Sequence, residues 1–471
     1  MSLVTNKCGS EFLEGNFAPV GNEIDVAELE IEGSIPPALS GQYLRNGPNP
    51  MFEPLGSYHW FDGDGMIHAI GLENGRASYR NRWIRSRGLD AEQRNGSAIY
   101  GGLAAPGLTD PRLVGDGGPV KNTANTNIIR HAGRILCLME GCPPTEIDDE
   151  LRTLGEHDFA GRLQGSFTAH PHIDPRNGEM IVFGYMPTLK YMRVSAGGEL
   201  VQVEDIEVPK PTMMHDFAVT SDHAVFFDSP AVLDLEAFLA GGPMVEWAPD
   251  NGTRVGVLPR EGSGSDTRWF EIPNCYVVHF MNAWEEGNRI MVDGCRFEQM
   301  DFGTGDASIP DPESFLTRFT IDLDAGTVSE QRLGDLPGDF PRVRAEIEGE
   351  KHRYGVAATF ARTAPLGPRF DSVTLYDFVD GSERTHQYRN GEVTGEPVFA
   401  PDPSGTAEND GWIVSMVSDT GGAHTDLVIL DAHEMTETAR VHMPRRVPFG
   451  FHGNWLPNGS DSMLTRAGCV T

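Results

Sequence analysis

Four histidines share a setting that the other eleven lack. His170 lies in GSFTAHPHID, His215 in PTMMHDFAVT, His279 in NCYVVHFMNAWEE and His452 in VPFGFHGNW. Each stands at or beside an apolar run, with neighbours such as Phe167, Met214, Val278, Phe280 and Phe451. A neutral imidazole offers one lone pair and is the commonest metal ligand among side chains. Four of them converging would bind a divalent transition metal. Their separations are 45, 64 and 173 residues. A helical zinc site would show i, i+4 spacing and a zinc finger paired short spacings, and neither is present. The plain alternative is four unrelated core histidines, each satisfied by one hydrogen bond. His172 competes with His170 within AHPH, and His59 competes from YHWFDGD. His157, His223, His352, His386, His424, His433 and His442 stand in polar or turn contexts and read as surface.

An all-histidine shell leaves a metal its full charge. Four ligands on an octahedral ion also leave two neighbouring positions open. That suits Fe(II) working with O2 better than structural zinc, which takes a closed tetrahedral shell. Metal-bound imidazoles donate their second N–H to a carboxylate or carbonyl, so buried acids are expected nearby. Glu140 follows the apolar RILCLM, Asp339 lies in LPGDFPRV, and Glu408 precedes the strand-like GWIVSMV. Taken singly, each reads more readily as a turn or strand-end acid.

Residues this far apart meet only if their elements converge. Glycine (55) and proline (33) punctuate the chain. HIDPRNGEMIVFGY, RHAGRILCLME, TSDHAVFFDSP, EEGNRIMVDGC and FTIDLDAGTVSEQRL each set short apolar runs beside a polar turn. That is antiparallel hairpin grammar. Helical periodicity is confined to SPAVLDLEAFLAGG, with Ser229 as N-cap and Pro230 first in the helix, and more weakly to TEIDDELRTLGEH. FDGDGMIHAI reads as a tight Asp-Gly turn joining two inner strands. No stretch reads as an interdomain linker. The expectation is one all-β domain over residues 1–471, a β-propeller whose inner strands converge on one axis. The repeats are too weak for the blades to be counted.

Composition narrows the partners. Asp+Glu number 69 against Lys+Arg 37, a net charge of −32. Such a surface repels nucleic acid and anionic lipid. The first twenty residues lack an apolar core of signal-peptide length, and no run is long enough to span a bilayer. The six cysteines form no CxxC pair and no disulfide framework, so a cytoplasmic location is expected.

NFAPV, YLRNGPNP, YHWFDGDGMIHAI, TANTN, FTAHPHIDPRNGEM, MMHDFAVT, FEIPNCYVVHFMNAWEE, DFPRV, ENDGW and VPFGFHGNW follow one another in this order. Together they resemble the carotenoid cleavage oxygenases over nearly the full length. The resemblance implies a seven-bladed propeller with a dome of loops and helices over the metal face. It implies non-haem Fe(II) held by His170, His215, His279 and His452, supported by Glu140, Asp339 and Glu408. Thr126 in TANTN matches a residue whose methyl shields one open position of the iron. His452 would then be the ligand brought back to the axis by the last strand, and His59 and His68 would stay off the metal. The implied reaction is O2-dependent cleavage of a conjugated C=C bond to two carbonyl products. It needs no organic cofactor, and no GxGxxG stands between a strand and a helix.

Members that cleave stilbenes hold a phenol with a tyrosine and a lysine. By the resemblance, those positions fall at Leu103, with Tyr100 close by, and at Met139. Leucine and methionine cannot ionise a phenol but can line an apolar passage. The resemblance therefore points to a carotenoid or apocarotenoid, with stilbenes and related phenylpropanoids as the alternative. A non-catalytic metal-binding propeller is the alternative from another class. The segment TDPRLVGDGGPVKN is short and polar where plant-type members carry an apolar stretch, so at most weak membrane association is expected.

Overall fold

In a computed structural model, residues 4–103, 105–239, 242–300, 313–361 and 370–458 are described. Cys469 lies outside them. The other five cysteines are free thiols. The chain folds as a ring of seven antiparallel blades. A blade packs against a neighbour on both faces, so its middle strands read as unbroken apolar runs rather than alternating ones. In Met180–Gly184 all five residues are buried, and in Gly411–Asp419 the first eight are.

Blade I runs outward from Gly453–Pro457 through Gly41–Pro48, Gly65–Glu73 and Arg76–Trp83 to Asp25–Val26. Blade II is Asn127–His131, Arg134–Leu138, Thr145–Ile147 and Thr153–Glu156. Blade III is His172–Ile173, Met180–Gly184, Lys190–Val194 and Leu200–Asp205. Blade IV is Ala218–Val219, His223–Asp228, Thr253–Pro259 and Arg268–Ile272. Blades V and VI share the strand Thr327–Arg342. Its first part pairs with Ser314–Asp322, and Gly338 onward pairs with Tyr354–Thr359. Blade V begins at Tyr276–Glu286, and blade VI ends at Ser382–Gln387. In blade VII, Glu392–Thr394 and Val398–Pro401 both pair with Gly411–Asp419, followed by Thr425–Asp431, Glu437–His442 and Ile31–Gly33.

Two crossings close the ring. Ile31–Gly33 completes the outer edge of blade VII, and Gly453–Pro457 completes the inner edge of blade I. At the axis, Gly453–Pro457 packs against both Asn127–His131 and Val398–Pro401.

Three local expectations are corrected. SPAVLDLEAFL is not one helix: Ala231–Leu233 pairs with Val245–Trp247, and the helix begins at Leu235. Asp234, not Ser229, receives a helical N–H, that of Ala237 at 2.8 Å. TEIDDELRTLGEH is a hairpin of Thr145–Ile147 and Thr153–Glu156, turned by Asp148, whose carboxylate accepts from Glu150 N and Arg152 N. FDGDG is the end of a loop over residues 49–64 that joins Gly41–Pro48 to Gly65–Glu73, and neither strand is innermost.

The longest described helix, Arg87–Asn95, was not anticipated. Ser86 caps it, accepting from Leu89 N, and Gly96 ends it at φ 76°. Its inward Glu92 accepts from Ile99 N and pairs with Lys121 at 2.7 Å, and Lys121 reaches Asp64 at 2.6 Å. Burial pushes the Glu92 carboxyl upward, and Lys121 only partly offsets it. Truncating one partner strands the other charges away from water. Glu92→Ala is therefore expected to lower stability by about 3–5 kcal/mol, measured by denaturant unfolding. Glu92→Gln should cost less, because the amide still fills the site. Equal stability of Glu92→Ala and the parent would remove this anchor from the account.

Candidate metal centre

The innermost strand of every blade delivers one residue to the axis. His452 immediately precedes Gly453–Pro457 in blade I, and Thr126 precedes Asn127–His131 in blade II. His170 precedes His172–Ile173, His215 precedes Ala218–Val219, and His279 lies within Tyr276–Glu286. Asp339 sits on the inner part of Thr327–Arg342, and Glu396 lies between the two inner strands of blade VII. This answers the spacing: each residue belongs to a different blade, and the blades meet at the axis.

The four histidines do meet. One ring nitrogen from each of His170, His215, His279 and His452 lies within 4.8 Å of the others. His215 Nε2 is 3.0 Å from His170 Nε2 and 3.1 Å from His279 Nε2. Two nitrogens at right angles about an ion, each at about 2.1 Å, stand about 3.0 Å apart, so the spacing fits a transition metal. The far nitrogens are held by acids. His215 Nδ1 donates to Glu140, His279 Nδ1 to Asp339 at 3.0 Å, and His452 Nδ1 to Glu396 at 3.2 Å. Each bond leaves the Nε2 lone pair facing inward.

Burial and the neighbouring acids act differently on the four imidazoles. Burial, followed by the three neighbouring imidazoles, holds His170 well below the usual histidine range. Burial lowers His452 too, partly offset by Glu396. For His215 burial is outweighed by Glu140, and its pKa rises. Glu396 is buried, yet Arg342 at 2.9 Å and His452 hold it below the usual carboxylate range.

Within AHPH, the two histidines differ in their hydrogen bonds. His172 Nδ1 contacts Glu348, and Nε2 donates to the Phe217 carbonyl at 2.8 Å. Burial opposes its charge, but Glu348 and Asp216 prevail and push it up to about 10. A doubly protonated ring has no lone pair for a metal. His59 Nδ1 accepts from Phe61 N, and His68 Nδ1 meets the Tyr79 hydroxyl at 2.7 Å, so both are engaged elsewhere. His352, read as surface, is fully enclosed between Trp284 and Phe378.

Glu408 is the expectation that fails. Its carboxylate accepts from Arg353 N and Tyr354 N at 2.7–3.1 Å, at the start of a blade VI strand. It precedes an apolar strand, as read, but that strand lies one position out from the axis. Glu396, in the inner-strand segment TGEPVF, holds His452 instead. The available signal was an acid set between apolar strand residues, Val393 and Val398, with a proline after it.

Two more residues were missed. Tyr185 donates its hydroxyl to Glu140, on the oxygen that does not face His215. Phe340 stacks on His279 with centroids 4.9 Å apart and meets His452 at 5.4 Å, from a backbone φ of 53°. A bulky residue in the left-handed region is strained, and such strain gathers at functional sites. Thr126 offers its carbonyl to His452 N at 3.0 Å, while its hydroxyl donates to Asn125 at 3.1 Å. Met139 sulfur lies 3.3 Å from Thr123 N. Leu103 is 37% exposed and donates its N–H to Asp62 at 2.7 Å. Tyr100 turns away: its ring packs with Ala91, Ile99 and Val114, and its hydroxyl donates to the Gly118 carbonyl at 3.1 Å.

Residues 17–457 match the family model described as RPE65, retinal pigment epithelial membrane protein. A carotenoid cleavage oxygenase of Mycobacterium tuberculosis is 35% identical, over 95% of this chain and 97% of the relative. The chain belongs to the carotenoid cleavage oxygenase family. It is accordingly an enzyme, and a non-catalytic propeller is set aside. Carotenoid cleavage oxygenases are non-haem iron proteins, and the four histidines of this member could bind a metal. The family's named substrates diverge. A resveratrol cleavage oxygenase of Aspergillus fumigatus is 33% identical over 94% of both chains. The crystal structure of a Pseudomonas brassicacearum lignostilbene dioxygenase superposes with a TM-score of 0.88 at 30% identity, covering 95% of this chain and 99% of that one.

Proposed function

We propose that His170, His215, His279 and His452 hold Fe(II), and that this oxygenase uses O2 to cleave a conjugated C=C bond of an apocarotenoid into two carbonyl products. The convergence of four inward-facing imidazole nitrogens carries the reading. Fe(II) would supply the redox chemistry that lets O2 react with an alkene. Both oxygen atoms end in the products, so no external reductant is consumed. The chain's own residues orient and enclose. Glu140, Asp339 and Glu396 fix three imidazoles as neutral ligands and supply negative charge against the cation. Phe340 packs on His279 and His452, while the rings of Trp60 and of Phe451, the residue before His452, meet at a tilt with centroids 4.5 Å apart. Thr126 spends its hydroxyl on Asn125, consistent with the methyl serving the centre.

Substrate choice rests on Leu103 and Met139, which stand where stilbene-cleaving members hold a phenol. A buried phenol without a partner loses about 1–3 kcal/mol, or roughly 5- to 150-fold in binding. Phe61, Leu103 and Leu108 are exposed apolar side chains of the same region and suit an apolar polyene. Stilbenoids are the second reading, favoured by the likeness to the lignostilbene dioxygenase. Tyr100 offers them no ready contact, because its hydroxyl is already bonded. No described helix is long and apolar enough to cross a membrane.

The test is anaerobic loading with Fe(II), then O2 with a panel of apocarotenals and 4-hydroxystilbenes, read by mass spectrometry. Apocarotenals are expected to turn over faster, and Leu103→Tyr with Met139→Lys should move preference towards hydroxystilbenes. Faster cleavage of resveratrol-like substrates by the unaltered enzyme would overturn the substrate reading while leaving the iron reading intact.

A further inference from the structure

The three acids behind the histidines do not reach them in the same way. Asp339 and His279 come from neighbouring blades, VI and V. Glu396 and His452 come from neighbouring blades, VII and I. Glu140 follows the blade II strand Arg134–Leu138, yet its partner His215 belongs to blade IV. Its side chain therefore crosses the sector of blade III. A glutamate has one torsion more than an aspartate, and its last torsion, at the carboxylate, is broad. One hydrogen bond to an imidazole does not fix the plane of such a group.

Blade III supplies a second one. Tyr185 directly follows the strand Met180–Gly184 and is buried. Its ring stacks on Phe183 and shares an apolar cluster with Leu189, Met214 and Phe217. Its hydroxyl donates to Glu140 Oε2, while Glu140 Oε1 accepts from His215 Nδ1. Burial, followed by the Glu140 charge, holds the hydroxyl well above the usual tyrosine range, so it stays a donor. The chain beside Glu140 is shaped for this close approach. Gly141 has φ 119°, and a Cβ there would come within 3.0 Å of Met186 Cε. Glu396, the other long acid, is likewise held on both oxygens: His452 and Arg342 share one, and Gly453 N takes the other.

We propose that Tyr185 is a positioning residue for the metal centre. By holding the outer oxygen of Glu140 it sets the plane of that carboxylate and, through it, the tilt of the His215 imidazole towards the bound ion. Its hydroxyl also draws on the carboxylate's negative charge, which tempers the donor strength of His215. The inference rests on the reading that the four histidines hold a metal, and extends that centre one residue further out.

The test compares two hydroxyl deletions in blade III of the full chain. Tyr185→Phe keeps the ring and fills the same space. Tyr191→Phe, on the next strand, deletes a hydroxyl that donates to the Arg260 carbonyl at 3.1 Å, and so measures a merely structural loss. Each protein is loaded anaerobically with Fe(II) and challenged with a chelator. Each is also loaded with Co(II), whose visible absorption reports ligand geometry. Tyr185→Phe is expected to lose iron about 3- to 10-fold faster than wild type, with displaced Co(II) bands. Tyr191→Phe should match wild type in both. In Glu140→Gln, where the carboxylate is already gone, adding Tyr185→Phe should speed iron loss by no more than about twofold. If Tyr185→Phe matches Tyr191→Phe in iron loss and in cobalt spectrum, this inference is overturned and the metal reading stands. Full, independent effects in the double variant would show that Tyr185 does not act through Glu140, and overturn it equally. A wild-type chain that takes up neither metal overturns the metal reading, and this inference with it.

Discussion

Replacing His452 with alanine is expected to give a folded chain that retains less than about 0.1 iron per molecule and cleaves no substrate detectably. The fold should survive because the loss is confined to one side chain just ahead of the closing strand Gly453–Pro457. Glu396 also keeps its other partners, Arg342 and Gly453 N. The centre should not survive, because one of four convergent nitrogens is gone and no other described side chain takes its place. His170→Ala, His215→Ala and His279→Ala should behave alike. His172→Ala is the control: both of its ring nitrogens are engaged, by Glu348 and by the Phe217 carbonyl, so iron should remain. Iron analysis on protein of unchanged circular dichroism checks all five. Loss of iron in His172→Ala with retention in His170→Ala would reverse the assignment of ligands.

The second large effect separates two glutamates. Glu396→Gln should cut iron retention or turnover by about 10- to 100-fold. It should also destabilise the protein by a few kcal/mol, about 3–5 at most, because Arg342 loses its buried countercharge. Glu408→Gln should leave iron and turnover unchanged, since that carboxylate only receives two backbone N–H groups of blade VI. Chelator-challenge rates for iron loss, set beside denaturant unfolding, distinguish a weakened centre from a weakened fold. Equal iron retention in both variants would remove Glu396 from the centre.

The contrast between these glutamates shows what was legible in the sequence. The cluster of four histidines could be picked out because an imidazole among Phe, Met and Val has few uses, and the spacing made sense once each was assigned its own inner strand. Glu140 and Asp339 were legible for a similar reason: each follows or sits among apolar residues at the end of a run. Glu408 satisfied the same local pattern and Glu396 hardly did, because what separates them is distance from the axis. Both flank the strand Gly411–Asp419, and only the pairing of Glu392–Thr394 and Val398–Pro401 on its inner side decides which one faces the histidines.

Tertiary pairing likewise overrode local propensity in SPAVLDLEAFL. Pro230 there looks like a helix start, but the Ala-Val-Leu that follows has a strand partner in Val245–Trp247. The helix Arg87–Asn95 carried its signals openly, in Ser86 and Gly96. It escaped notice because its apolar face is short and is completed by a buried Glu92 rather than by leucines. Phe340 could not be anticipated at all: a positive φ at a phenylalanine leaves no mark on composition or spacing.

The most direct test of the central claim is iron X-ray absorption on anaerobically reconstituted enzyme loaded to saturation. The account predicts one iron per chain with four imidazole nitrogens as its protein ligands, a signal that disappears in His452→Ala. A saturated stoichiometry far below one, or a shell built from carboxylates with fewer than three imidazoles, would contradict it.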